Sequence, residues 1–247
     1  MLTKADIKFV KSLNEKKERY ANKLFVAEGN KLVIEILHSK ISVTRIFANE
    51  NWLNLNEKLV GKNIEITLLK HAELTRLSNL QSTREVIALC KIPEYELDFN
   101  RLSGLTIALD TIQDPGNLGT IIRVADWFGL NNILCSKETV DCFNPKVVQS
   151  TMGSISRVKL FYGDLSIWLN KIEQPVLAAS VEGTSVHEYT FPENAVLVIG
   201  NEGIGIGTEL KPLIQQNICI PRKGSAESLN AAIAAAILID RYAGLNF

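Results

Sequence analysis

The chain has 247 residues, 46% of them hydrophobic, and its 27 Lys and Arg side chains are balanced by 27 Asp and Glu side chains. This length allows one large or two modest domains with real hydrophobic cores. The formal net charge is zero. The overall composition therefore does not by itself indicate a nucleic-acid partner.

The N-terminal end is nevertheless locally basic, because residues 1–40 carry nine Lys and Arg side chains against five Asp and Glu. A basic segment of this kind can indicate an anionic partner. Charge alone favours the simpler explanation, a solvated helix face, so both interpretations stay open.

The cysteines and histidines are scattered, which limits the chemistry open to the chain. The cysteines lack CxxC spacing and the histidines lie far apart: Cys90, Cys135, Cys142, Cys219, His38, His71 and His187. This distribution disfavours a zinc site and a histidine-based catalytic triad, so we expect no bound metal. Because we find neither a signal peptide nor an apolar run of about 18 residues, the sequence predicts a cytoplasmic protein with reduced, mostly buried thiols.

The first 92 residues predict a small α/β unit. Ile7, Val10 and Leu13 recur at helical spacing in a segment rich in Lys and Glu, which predicts a surface helix. A second helical pattern covers residues 31–37. Short apolar runs predict four strands, at residues 24–28, 43–47, 64–67 and 86–91.

A break in both periodicities follows at residues 92–104, which we interpret as a linker. We therefore expect two domains, residues 1–95 and residues 104–247. From residue 105 onward, strands and helices alternate regularly, which predicts a mostly parallel sheet with helices on both faces. The predicted strands are residues 105–109, 132–135, 158–161, 176–179, 195–199 and 218–220.

Helices are predicted between these strands. One covers residues 117–128, with Asn117 as N-cap and Gly129 as the stop, and another begins at Pro145. A long alanine-rich helix is predicted from an N-cap at Ser225 to Tyr242. Its apolar stripe is Leu229, Ile233 and Ile237.

Three polar clusters lie where the strands of such a sheet end, which is where α/β sheets bind ligands. The first runs from Asp110 to Arg123. One interpretation is an ordinary helix cap at Asn117 followed by a surface arginine. The other is a helix N-terminus that offers N–H groups to a phosphate, with Arg123 as a second anchor.

The second cluster is Gly200-Asn-Glu-Gly-Ile-Gly-Ile-Gly207, directly after the strand that ends at Ile199. It does not match GxGxxG, because Thr208 occupies the last glycine position, and it lacks the Gly-Lys-Ser/Thr of a P-loop. Four glycines in eight residues still predict an unusual backbone. This backbone is either a turn without a ligand or one that lies close to a bound molecule.

The third cluster, Ser228-Leu-Asn230, lies in the predicted first turn of the last helix. Polar side chains at a tightly packed helix start need partners, either from the fold or from a ligand. Ser228 and Asn230 are therefore expected either to cap and cross-link the backbone or to contribute to a binding site.

Together, in this order and spacing, the clusters resemble the motifs of the SpoU (TrmH) branch of the SPOUT RNA methyltransferases. The resemblance is carried by Asn117 and Arg123, by the Ile-Gly-Asn-Glu-Gly-Ile-Gly of residues 199–205, and by the Ile-Pro-x-x-Gly-x-x-Glu-Ser-Leu-Asn of residues 220–230. The stretch Phe25-Val-Ala-Glu-Gly-Asn-Lys31 is similar to the Phe-x-x-Glu-Gly pattern of that branch's substrate-binding domain, which resembles ribosomal RNA-binding proteins. The resemblance spans nearly the whole chain.

This resemblance implies an α/β fold in which a small RNA-binding domain precedes a parallel-sheet SPOUT domain with a deep trefoil knot. It implies a homodimer that transfers a methyl group from S-adenosyl-L-methionine to a ribose 2′-hydroxyl in RNA. The N-terminal domain favours rRNA as the substrate, while tRNA and a catalytically inactive RNA-binding paralogue stay open. A Rossmann-type dehydrogenase is disfavoured because the chain lacks GxGxxG.

The resemblance also implies site residues by motif position. The cofactor-binding residues, whose backbone would hold the cofactor in a bent form, are Gly200, Asn201, Gly205, Ile220 and Leu229. The catalytic residues are Asn117, Arg123, Glu202, Ser228 and Asn230. Ser228 and Asn230 would position the knot loop and the ribose. Arg123 would act in the partner's cofactor site, and because a guanidinium stays protonated we expect it to clamp a phosphate and polarise the hydroxyl.

Overall fold

The structure is a computed structural model that describes residues 2–80 and 85–246. By its internal contacts the chain divides into two compact units. The first comprises Met1–Glu94 together with Asp141–Arg157, and the second comprises Tyr95–Val140 and Val158–Phe247.

The described residues contain nine α-helices and eleven strands. The helices are α1 (Lys4–Ser12), α2 (Lys16–Asn22), α3 (Asn30–Leu37), α4 (Glu50–Asn56), α5 (His71–Leu77), α6 (Pro115–Trp127), α7 (Pro145–Ser150), α8 (Leu165–Leu169) and α9 (Ala231–Asn246). The strands are β1 (Leu24–Glu28), β2 (Val43–Ala48), β3 (Glu65–Leu68), β4 (Val86–Lys91), β5 (Leu105–Leu109), β6 (Asn132–Ser136), β7 (Lys159–Gly163), β8 (Val176–Ser180), β9 (Thr184–Ser185), β10 (Ala195–Ile199) and β11 (Gln216–Cys219).

The first unit contains a four-stranded sheet in the order β1-β4-β2-β3. Strand β4 runs antiparallel to β1 and β2, and β2 pairs in parallel with β3. Val10 of α1 and Leu74 of α5 pack with Phe47 and Ile87 of the sheet in one apolar cluster. The four strands predicted here are confirmed. The predicted surface helix corresponds to α1. The sequence pattern did not show that a second helix, α2, follows it.

Residues 141–157 belong to this first unit although they follow β6 in the sequence. Buried Arg19 forms an ion pair with buried Asp141, with Nε 3.0 Å from Oδ2, and the Tyr20 hydroxyl donates to Oδ1 at 3.0 Å. The rings of Phe143 and Phe25 have their centroids 4.9 Å apart. Burial, and secondarily the Asp141 carboxylate, raise the pKa of Tyr20, so this phenol stays a protonated donor.

The second unit contains a seven-stranded sheet in the order β7-β6-β5-β10-β8-β11-β9. Every pairing in it is parallel. Strands β5 and β10 lie inside the sheet and are buried along their whole length, which explains why their residues are apolar except for Thr106. The predicted α/β fold with a parallel C-terminal sheet is therefore confirmed.

The structure corrects the predicted N-cap of α6. Asp114 is the cap, because its carboxylate accepts the backbone N–H of Asn117 at 2.8 Å. Pro115 occupies the first helical position, where a missing N–H loses no hydrogen bond. Asn117 therefore lies inside the first turn, and its side chain is free to bond elsewhere. Gly129, at φ 70°, follows the helix as predicted.

The predicted start of the last helix at Ser225 is wrong. Helix α9 begins at Ala231, and the side-chain oxygen of Asn230 accepts the N–H groups of the second and third helical residues at 3.0 and 3.2 Å. Asn and Ser are equally good caps by residue type, but the apolar run of the helix starts directly after Asn230. Leu229 precedes the helix and Ile233 is 49% exposed, so the predicted inward stripe is also wrong. The buried face instead includes Ala235, Leu238 and Ile239.

Some features concern the described residues as a whole. Across 2–80 and 85–246, no helix is both long and apolar enough to cross a bilayer. The same residues contain no group of three His, Cys, Asp or Glu side chains placed to hold a metal ion. The four cysteines, all within the described part of the chain, form no disulfide; Cys90, Cys135 and Cys142 are buried, and Cys219 is partly buried. Burial raises the pKa of both Cys90 and Cys135.

Candidate active site

A cavity of about 730 Å³ opens at the carboxyl ends of β8, β10 and β11. Its lining comes from the end of β8, from the glycine-rich loop after β10 and from the segment between β11 and α9. This is the edge at which a parallel sheet is expected to place a ligand. The apolar part of the lining includes Ile199, Ile206, Ile218, Ile220, Leu229 and Leu238.

The glycine-rich loop, residues 200–207, is a tight turn whose shape depends on missing side chains. Asn201 and Gly205 exchange two backbone hydrogen bonds of 3.1 and 2.9 Å. A Cβ atom on Gly200 would lie 2.5 Å from the carbonyl group of Gly205, whereas one on Gly203 would meet nothing closer than 3.5 Å. The cavity wall therefore requires glycine at position 200.

Asn201 supports this turn with its side chain. Its Oδ1 accepts the N–H of Gly203 at 2.8 Å, and its Nδ2 donates to the carbonyl of Thr111 at 3.0 Å. The amide is thus occupied within the protein. Of the predicted cofactor-binding residues, Gly200, Asn201, Gly205, Ile220 and Leu229 all line the cavity.

Three predicted catalytic side chains from distant parts of the sequence form one hydrogen-bonded network. Asn117 Nδ2 donates to Glu202 Oε1, and Asn230 Nδ2 donates to Asn117 Oδ1 at 2.8 Å. Glu202 also lines the cavity. This Asn–Glu–Asn network joins the cavity wall to the first turn of α6 and to the cap of α9, so the three polar clusters meet at one place.

The segment between β11 and α9 is exposed from Pro221 to Asn230. Ser228 and Leu229 line the cavity, and Leu229 is 45% exposed. Arg222 Nη1 donates to the carbonyl of Ala226 at 2.8 Å, which folds the segment back on itself. An exposed apolar side chain at a cavity is available for contact with a ligand.

Arg123 differs from the other predicted catalytic residues because it neither lines the cavity nor takes part in the Asn–Glu–Asn network. It lies on the exposed side of α6, and among the residues that the structure describes its guanidinium has no hydrogen bond or ion pair. Trp127, one turn further along, is 84% exposed. Residues four apart share a helix face, so a free cation and an exposed indole lie on one side of α6.

Sequence reasoning missed part of this cavity. Residues 179–181, at the end of β8, contribute to its lining, as do Lys211 and Arg222. The rule that ligands lie at carboxyl ends of strands could have indicated residues 179–181. Residues 181–185, Val-Glu-Gly-Thr-Ser, contain a single glycine and match none of the ligand-binding motifs, so the sequence pattern indicated only the ends of other strands.

Two family models match this sequence. The model of the SpoU rRNA Methylase family matches residues 104–240, which is more than half of the chain. The model of the MRM3-like substrate binding domain matches residues 4–88.

Individual proteins are similar over almost the full length. The 23S rRNA (guanosine(2553)-2′-O)-methyltransferase RlmP of Bacillus subtilis is 32% identical over 237 residues, covering 94% of each chain. A solved structure of a Porphyromonas gingivalis protein assigned to the TrmH family of RNA methyltransferases has a TM-score of 0.88 at 35% identity, covering 98% of each chain. An AdoMet-bound rRNA methyltransferase from Sinorhizobium meliloti has a TM-score of 0.87 at 27% identity, covering 98% of this chain and 95% of that one.

Proposed function

Because the chain belongs to the SpoU rRNA methylase family, we propose that it uses S-adenosyl-L-methionine to methylate a ribose 2′-hydroxyl in rRNA. The observation that carries this proposal is the Asn–Glu–Asn network at the cavity, where Asn117, Glu202 and Asn230 meet. The B. subtilis relative is named for this reaction on 23S rRNA, which supports rRNA as the substrate class.

The cavity suits an adenosyl cofactor. Apolar walls match the faces of a nucleoside. Gly200 and Gly205, which pack closely together, have no side chains to cover the backbone, so a ligand can approach it. We propose that backbone near Gly200, Ile220 and Leu229 holds S-adenosyl-L-methionine, with Asn201 and Gly205 fixing the turn. The cofactor supplies an activated methyl group on its sulfonium. The S. meliloti relative is solved with AdoMet bound, which supports this choice.

The protein's own task is to hold the ribose 2′-oxygen in line with the methyl group and to help its proton leave. We assign the reaction centre to Asn117 and Glu202, with Ser228 and Asn230 positioning the ribose and the segment before α9. The network fixes Asn117, Glu202 and Asn230 before RNA arrives, because each amide is already bonded to its neighbour. Positioning of this kind lowers the entropy cost of the reaction.

Arg123 is assigned to the substrate phosphate. A guanidinium stays protonated and offers a planar fork of donors that matches a phosphate. Its exposed position and lack of a partner among the described residues support contact with a molecule from outside this chain. We propose that it clamps the phosphate beside the target ribose and polarises the hydroxyl, with the proton leaving to phosphate or water.

A homodimer is part of the proposal, with Arg123 serving the partner's cavity. Exposed apolar side chains on α6 and α9 support it, because the core of a homodimer interface is enriched in aromatic and other apolar groups. Trp127 is 84%, Ile233 49% and Leu245 42% exposed. The alanine-rich sequence of α9 would permit close helix packing between subunits.

The remaining assignments concern the domains and the chain path. We propose that residues 1–95 form an RNA-binding domain and residues 104–247 the methyltransferase domain, in line with the two matching family models. The name of the model that matches residues 4–88, a substrate binding domain, supports contact with RNA. A deep trefoil knot near the segment between β11 and α9 is proposed from family membership.

Methyl transfer to isolated RNA tests the proposal. Purified protein and S-adenosyl-L-methionine with a labelled methyl group are incubated separately with rRNA and with tRNA from a strain that lacks the gene. We expect label in rRNA at one ribose, which then resists alkaline cleavage. Label in tRNA alone would shift the substrate to tRNA. Binding of RNA without transfer to either would identify an inactive paralogue.

A further inference from the structure

A buried carboxylate outside the Asn–Glu–Asn network holds one end of the glycine-rich loop. Asp110 directly follows β5 and is 5% exposed. Its Oδ2 accepts the backbone N–H of Gly207 at 2.7 Å, and its Oδ1 accepts the hydroxyl of Thr111 at 3.0 Å. Its own N–H donates to the carbonyl of Ile199 at 2.9 Å. Asp110 therefore fastens the last residue of the loop to the edge of the sheet.

The next residue holds the other end of the same loop. The carbonyl of Thr111 accepts from Asn201 Nδ2 at 3.0 Å, and its N–H donates to Ser136 Oγ at 2.9 Å. Thr111 has a φ of +59°, a conformation that is rare for a β-branched residue and persists only where the surroundings impose it. Two consecutive residues thus tie both ends of residues 200–207.

This arrangement matters because the four glycines of residues 200–207 make the loop entropically costly to order. Glycine gains more conformational freedom than any other residue when it is released. The same loop lines the cavity and presents Glu202 to Asn117. Any freedom at its ends would loosen the cavity wall and the Glu202 carboxylate together.

We propose that Asp110 and Thr111 are positioning residues for methyl transfer, a role that rests on the proposed function. They lock the glycine-rich loop so that the cofactor cavity and the Glu202 carboxylate are formed before ligands bind. Both oxygens of Asp110 are occupied by protein donors and the residue is buried. It therefore acts through the loop and does not touch the substrate.

Substitution of Asp110 tests this proposal. Asp110→Ala removes both acceptors, and we expect it to raise the Kd for S-adenosylhomocysteine by about tenfold or more, since hydrogen bonds to charged groups are the stronger ones. Asp110→Asn keeps one acceptor oxygen for Gly207 and can donate to Thr111, so its Kd should stay within about threefold of wild type. In turnover assays the KM for the cofactor should rise and kcat fall, while the KM for RNA stays unchanged.

Two further variants protect the test against misfolding. Asn201→Asp keeps the acceptor for Gly203 but removes the donor to Thr111. The side chain is partly exposed, so the change is unlike one in the core. It should weaken S-adenosylhomocysteine binding in the same way as Asp110→Ala. The control is Asp164→Ala, which removes a carboxylate that caps α8 outside the cavity lining and should bind the ligand as wild type does.

The outcomes separate the proposals. Wild-type affinity and wild-type kcat in both Asp110→Ala and Asn201→Asp would overturn the positioning role. So would a raised KM for RNA with an unchanged Kd for S-adenosylhomocysteine. If the wild-type protein binds S-adenosylhomocysteine but methylates no RNA, the proposed function fails, while the binding comparison still decides the role of Asp110.

Discussion

Asn230 combines two contacts that need both halves of one amide. Its oxygen caps α9 by accepting two backbone N–H groups, and its nitrogen donates to Asn117 at 2.8 Å. Helix capping alone would be served equally well by Asp or Ser. The donor half therefore distinguishes a site residue from an ordinary cap.

Replacing Asn230 by Asp separates the two contacts. The carboxylate still caps α9 but places an oxygen against the oxygen of Asn117, so we expect unchanged thermal stability and a loss of methyl transfer of about tenfold or more. Asn49→Ala is a control that removes a helix cap and leaves the network intact, because Asn49 caps α4 and is not a member of the network. It should cost about 1 kcal/mol of stability with normal activity. Normal methyl transfer by Asn230→Asp would show that the network has no catalytic role.

The residue scale also shows where sequence reasoning ends. The motif positions indicated Asn117, Glu202 and Asn230, but spacing could not show that they bond to one another across 85 and 113 residues. Asp110 and Thr111 lie in the first polar cluster, but nothing in its sequence assigns them a role, which comes only from their contacts with residues 200–207. Such roles depend on tertiary contacts that local patterns do not encode.

At the scale of elements, the buried strands and the start of α7 at Pro145 were predictable, but the starts of α6 and α9 were not. Apart from Thr106, β5 and β10 consist of apolar residues, because both faces of an inner parallel strand are covered. The start of α6 had two good caps within three residues, Asp114 and Asn117. The start of α9 likewise had Ser225 and Asn230. Contacts from the rest of the fold chose between them.

The glycine-rich loop gives a matched pair of substitutions at this scale. Gly200→Ala places a methyl group 2.5 Å from the Gly205 carbonyl group, so the loop must move and we expect S-adenosylhomocysteine binding to weaken by at least about tenfold. Gly203→Ala meets nothing closer than 3.5 Å and should bind normally. Isothermal titration calorimetry measures both. Equal affinities for the two variants would show that this turn does not shape the cofactor site.

At the scale of the whole molecule, the first unit depends on residues 141–157. Asp141 neutralises Arg19, and side chains of both are almost completely buried. No local pattern in residues 141–157 indicates this partnership, because the two residues are 122 apart. The sequence predicted two domains that each consist of one continuous segment. Hydrophobic periodicity reports local structure, so it could not indicate an ion pair between residues as distant as Arg19 and Asp141.

Substitution at Asp141 tests that dependence. Asp141→Asn leaves Arg19 as an uncompensated buried charge, which should destabilise the protein by about 3–5 kcal/mol. Glu35→Gln breaks the pair with Arg157, whose side chains are 37% and 45% exposed, and should cost at most about 1 kcal/mol. Urea unfolding followed by tryptophan fluorescence compares the two. Equal stability losses would contradict a structural role for the buried pair.

The proposed exchange of Arg123 between subunits predicts complementation. Co-expression of Arg123→Ala with Asn230→Asp forms mixed dimers in which one cavity has an intact Asn230 and receives an intact Arg123 from its partner. About a quarter of all sites should then be active, since half of the dimers are mixed and each has one intact site. Activity no higher than the sum of the two single variants would place Arg123 in its own subunit's cavity.

The central claim is that one cavity, built from three distant loops, methylates a ribose of rRNA. Mapping of 2′-O-methyl groups in total rRNA from a gene-deletion strain and its parent tests this most directly. We predict that one rRNA nucleotide loses its 2′-O-methyl group in the deletion strain, and that it regains the group with the wild-type gene but not with Asn230→Asp. Identical rRNA maps in the two strains would contradict the account.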